Sequence, residues 1–178
     1  MQKPIALLTL FVLTLATLAS AQRDKSQRPS PPAQAQCRFA DGKTIAVDYS
    51  SPRAKGRKIF GDLVPNGEVW STGANEATTF VTTADLTVGS TTVPAGSYTI
   101  FTIPNQDKWT LIINKKTGEW GIPYKYESDE QGRADMKVSH TSSPVENFTI
   151  AFDQMGGACT LNMSWEGTQA SVELGEKK

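Results

Sequence analysis

From Thr44 onward, polar and apolar residues alternate in short segments separated by turn residues, and no apolar face recurs at the 3.6-residue spacing of a helix. In Cys159-Thr160-Leu161-Asn162-Met163-Ser164-Trp165 the odd positions are apolar, which places Cys159, Leu161, Met163 and Trp165 on one buried face of a strand. Ala170, Val172 and Leu174 repeat the scheme after Glu166-Gly167, read here as the turn of a C-terminal hairpin. Trp109, Leu111 and Ile113 share a face, as do Phe148, Ile150 and Phe152, and Tyr98 and Ile100 precede a turn at Pro104-Asn105-Gln106-Asp107. With Val88-Gly89-Ser90-Thr91 and Lys116-Thr117-Gly118-Glu119 as further turns, the pattern predicts about nine strands. The expected fold is all-β, an antiparallel β-sandwich, with a jelly roll or a partly open barrel as variants of the same pattern.

The N-terminus departs from this pattern. Lys3, an apolar run over residues 5–18 and the small residues Ala19-Ser20-Ala21 read as a secretory signal peptide, residues 1–21, cleaved after Ala21. The run is too short to span a bilayer, and no Cys follows the cleavage site, so no membrane anchor is expected after processing. Residues 22–36, rich in Gln, Pro, Ser and Arg, read as a disordered tether. Residues 37–176 then form one domain of roughly 140 residues, enough for a single core. The expected location is secreted or periplasmic in a bacterium, where Cys37 and Cys159 would form a disulfide.

Charge narrows the partners. The chain has 18 Lys+Arg and 18 Asp+Glu, and removal of Lys3 leaves 17 cations against 18 acids, so nothing predicts a nucleic-acid partner. A Ser-His-Asp or Cys-His site needs an imidazole beside its nucleophile, whereas the sole histidine, His140, lies at the end of a strand and no G-x-S-x-G elbow is present. One His and two paired Cys cannot assemble a zinc site, and no other metal or cofactor is expected. Gly42-Lys43-Thr44 mimics the end of a P-loop, but Cys37 stands where its first glycine is required. The acidic run from Glu127 to Glu130 lacks calcium-loop spacing and reads as a solvated hairpin tip.

What remains is the segment 53–79, dense in glycine and charge. Arg53, Lys55 and Arg57 alternate, so an extended backbone would aim them to one side, toward a carboxylate, phosphate or sulfate. A solvated basic loop, or arginines paired with Asp48, Asp62 and Glu68, accounts for the same residues structurally. Asn75 and Glu76 beside Gly73 could orient a hydroxyl-rich ligand, and Trp70 and Trp120 could rim a pocket. The expectation is a non-catalytic domain that binds a small polar or anionic ligand, an envelope component or a partner protein. The alternative is a hydrolase pairing Glu76 with Asp48 or Glu68 on a cell-envelope or extracellular substrate.

Residues 59–80 (IFGDLVPNGEVWSTGANEATTF), residues 93–114 (VPAGSYTIFTIPNQDKWTLIIN) and Trp120-Gly121 resemble the bacterial family named domain of unknown function 2911. The resemblance spans the whole expected domain and implies export, but it implies no reaction. It also implies an arginine after the tryptophan of the GxxW segment, where this chain has Ser71.

Overall fold

The structure is a computed structural model that describes residues 24–177; the expected signal peptide lies outside the described residues. The chain is all-β and antiparallel. Among the described residues the nine strands are β1 (Pro32–Arg38), β2 (Thr44–Ser50), β3 (Thr78–Thr82), β4 (Leu86–Val88), β5 (Thr91–Val93), β6 (Gly96–Ile103), β7 (Lys108–Asn114), β8 (Glu130–Met155) and β9 (Ala158–Glu176). They form one sheet in the order β1-β2-β3-β6-β7-β8-β9-β4-β5, which does not close into a barrel. No helix among the described residues is long and apolar enough to cross a membrane.

Two long strands give the sheet its shape. β8 and β9 pair through a hairpin at Gly156-Gly157, both at positive φ, and their register shifts on either side of Val145. Glu166, at φ 52, lies within β9 opposite Val145. The turn expected at Glu166-Gly167 is therefore an irregularity inside one strand, since a single left-handed residue bends a ladder without ending it. Beyond this bend the far half of β8 reaches the N-terminal edge of the sheet. The Ala54 N–H donates to Glu146 O at 2.8 Å, the Phe148 N–H donates to Pro52 O at 2.9 Å, and Cys37 of β1 is joined to Cys159 of β9 by a disulfide. At the opposite edge Thr91 Oγ1 donates to Arg133 O at 2.8 Å, and Gly132 admits it closely: a Cβ there would lie 2.5 Å from Thr91 Cγ2.

The alternation read from the sequence fills one core to which every strand contributes, including Ile45, Phe80, Leu86, Ile100, Leu111, Met136, Leu161 and Trp165, all at most 2% exposed. The opposite face of β6 and β7 is also buried. There Phe101 and Ile112 lie under Ala77, which immediately precedes β3, and under Tyr124 and Tyr126, carried by the connection between β7 and β8. Within that connection Glu127–Asp129 is a 3-10 turn leading into β8, and Glu130 holds Arg133 through two 2.8 Å hydrogen bonds, so the acidic run is not a hairpin tip.

The tether is corrected. Residues 32–36, expected to be disordered, belong to edge strand β1, paired with β2 from Pro32↔Ser50 to Arg38↔Thr44. Ala33 and Ala35 pack on the core while the intervening glutamines face outward. Proline is tolerated because it opens an edge strand, where no ladder N–H is demanded of it. Composition alone overlooked an alternation carried by alanine.

Candidate functional site

The segment 53–79 crosses one end of the sheet in turns and isolated bridges. Arg53 bridges to Asn147, Phe60 to Val64 and Trp70 to Thr102. Arg53, Lys55 and Arg57 do face one depression, of about 380 Å³, completed by Pro29, Ser30 and Pro52. The cause differs from the one expected. Lys55 and Gly56 sit at φ 51 and 69, so a turn converges the cations, not extended backbone. Neither arginine pairs with Asp48, Asp62 or Glu68. Arg53 Nη1 donates to Ser51 O and Oγ, both at 2.8 Å, while Arg57 donates from Nε to Ala54 O at 3.0 Å and from Nη2 to Arg53 O at 2.6 Å. A guanidinium carries five N–H donors, so each is fixed in place with about three left over for a ligand.

Arg57 also lines an adjoining cleft of about 400 Å³, together with Ser30, Leu63, Glu68, Trp70, Ile122 and Trp165. The cleft has an aromatic floor. Trp70 stacks on Trp165 with ring centroids 5.9 Å apart and planes at 18°, and Phe148 meets Trp70 edge-on at 4.9 Å. Trp70 is locked by its Nε1–H donating to Gly73 O at 3.0 Å, and Trp165 by donation to Glu146 O at 3.2 Å. Leu63 and Ile122 on the rim are each 46% exposed, apolar surface left open to water beside a charged arginine.

The other expected residues lie elsewhere. Asn75 donates from Nδ2 to Ser30 O at 3.1 Å, and Glu76 accepts from Arg28 Nη1 at 2.7 Å with Lys25 Nζ at 3.2 Å. Both thus secure the N-terminal segment that precedes β1. The Arg28 hydrogen bond, more than any other contact, holds the Glu76 carboxyl down to about 2. Asp48 accepts from Gln34 and shares a depression of about 150 Å³ with Glu76 and Lys25, whereas Glu68 lies in the larger cleft. Trp120, 62% exposed, lines neither cleft; its neighbour Ile122 does. Sequence reasoning missed Ser30, Leu63, Ile122 and Trp165. Only Leu63, inside the glycine-rich segment, had a local signal.

A family model described as a protein of unknown function (DUF2911) matches residues 30–174. The chain is a DUF2911 protein. No curated protein and no solved structure matches it. In this DUF2911 protein the matched span starts at Ser30, the residue whose carbonyl receives Asn75 and which borders both clefts, and it contains every residue named above in the two clefts except Pro29.

Proposed function

We propose that this DUF2911 protein is an exported, non-catalytic binding domain whose cleft beside Arg57 takes a small ligand with a flat or apolar body and an anionic group. The observation that carries this reading is the stacked Trp70–Trp165 pair lining the same cleft as a guanidinium fixed by two backbone carbonyls. A ring or alkyl body would cover Trp70, Leu63 and Ile122, and a carboxylate, phosphate or sulfate would accept the remaining N–H groups of Arg57, reinforced by Arg53 and Lys55. Glu68 would accept a hydroxyl or amine hydrogen on the far side of the ligand. The Cys37–Cys159 disulfide supports an oxidising compartment, secreted or periplasmic.

The hydrolase reading is the weaker one. Its central acid, Glu76, stays ionised near neutrality and is occupied by Arg28 and Lys25, so the N-terminal segment would have to leave before that carboxylate could reach a substrate. The test is a thermal-shift screen of the protein against aromatic and aliphatic carboxylates, phosphates, sulfates and their neutral amides. A ligand at a hundred times its Kd adds about 2.7 kcal/mol, which for a domain of this size raises Tm by roughly 5–10 °C. Arg57→Ala should abolish the shift for the acid and leave the small shift of the amide. Equal shifts for acid and amide, unchanged in Arg57→Ala, would refute the proposed site.

A further inference from the structure

A second recess, of about 530 Å³, lies on the other side of the loop that carries Leu63 and Val64, and Arg57 takes no part in it. Three elements build it: the loop after Lys58, the turn between β6 and β7, and the middle of β8 and β9, where His140 is opposite Thr168. The loop is fastened to the turn by the Gly67 N–H donating to Pro104 O at 2.8 Å.

The chemistry differs from that of the first cleft. Asn66, Asn105 and Gln106 contribute three carboxamides, and Asp107, Lys58 and His140 complete a ring of polar side chains. Among the described residues, none of these six side chains hydrogen-bonds or ion-pairs with another protein group. By contrast, Asn75, Glu76, Asp48, Arg53 and Arg57 are all held by protein partners. One cation and one carboxylate offset each other around the amides, so the recess favours no net charge. Behind the polar ring stand Phe60, half-buried, and Trp109, 1% exposed, edge to face at 4.7 Å.

We propose that this recess is a saccharide site that takes a neutral pyranose. Each carboxamide offers two N–H donors and a carbonyl acceptor, a set that can match a pair of adjacent sugar hydroxyls, each of which both donates and accepts. Asp107 accepts from a hydroxyl and Lys58 donates to one, and the C–H face of the ring packs on Phe60. The volume falls within the range of small-molecule pockets. The inference is independent of the anionic ligand assigned to the Arg57 cleft, because the two sites share no lining residue.

The test is a titration of the isotope-labelled protein with glucose, galactose, mannose, N-acetylglucosamine, their disaccharides and glucuronate. The readout is the side-chain NH2 signals of Asn66, Asn105 and Gln106. The expected result is saturable shifts of these signals with at least one neutral sugar. Affinity should fall about tenfold or more in Asn105→Ala/Gln106→Ala, as expected from loss of hydrogen bonds worth roughly 1.5 kcal/mol in total, and should be unchanged in Arg57→Ala. Asn105 and Gln106 are exposed, so the double variant should unfold at the wild-type midpoint. Three results would overturn the proposal: no shift at these amides with any sugar, affinity unchanged in the double variant, or binding of glucuronate alone that Lys58→Ala removes.

Discussion

Removing the Cys37–Cys159 bridge should destabilise the protein by about 3–5 kcal/mol, more than any single surface substitution would. The bridged residues are 122 apart in sequence, and loop-closure entropy for a loop of that size is worth about 5 kcal/mol at 25 °C. Their Cα atoms lie 6.2 Å apart across β1 and β9, an ordinary spacing for the bond. Both cysteines are buried, at 5% and 0% exposed, so the thiols left by reduction remain in the core as small apolar groups and packing changes little. The loss therefore comes mainly from a freer unfolded chain, which leaves roughly 3–5 kcal/mol once typical native bridges are considered. Equilibrium urea unfolding followed by tryptophan fluorescence reads it directly. With a denaturant slope of about 2 kcal/mol/M, the midpoint should fall by about 1.5–2.5 M on reduction. Cys37→Ala, Cys159→Ala and the double variant should behave alike, since any one of them opens the loop. A fall of under about 0.5 M at unchanged slope would refute the reasoning.

The Glu76 contacts predict a pH dependence. Because Arg28 and Lys25 hold this carboxyl near 2 against an ordinary 4.5, their stabilisation is fully present above pH 4.5 and is lost as pH falls toward 2. Glu76 is 42% exposed, so each ion pair is worth only about 0.2–1 kcal/mol, and Glu76→Gln should match the wild type near pH 2 but be about 1 kcal/mol less stable at pH 7; a difference that persists unchanged in acid would contradict the assignment. Gly73→Val should cost at least about 1–3 kcal/mol, because a Cβ there would stand 2.9 Å from Ser50 O and 3.2 Å from Thr78 Oγ1, while exposed Lys58→Ala should stay within about 0.5 kcal/mol. Equal midpoints for these two variants would show that the backbone can yield at residue 73.

The strands were legible wherever alternation is carried by large side chains, as in Cys159 to Trp165 and Ala170 to Leu174, because burial of one face imposes period two regardless of partner. It faded where the apolar members are alanines, as in β1, and where a non-glycine residue takes a left-handed conformation without ending its strand, as Glu166 does in β9. The convergence of Arg53, Lys55 and Arg57 was expected for a different reason: they share a depression because Lys55-Gly56 turns, a conformation no spacing rule specifies. Of the aromatic floor only Trp70 was visible, as a pocket rim, while Trp165 read as core. Trp70 and Trp165 are 95 positions apart, on the loop and on β9, and no local pattern specifies that they stack. Glu76 shows the same limit from the opposite direction. Its acidity beside Gly73 suggested chemistry, yet its partners, Lys25 and Arg28, came from a stretch whose composition predicted no fixed structure. A carboxylate gains a role from what stands opposite it, and here that is the segment 25–28, which Glu76 ties to the loop before β3.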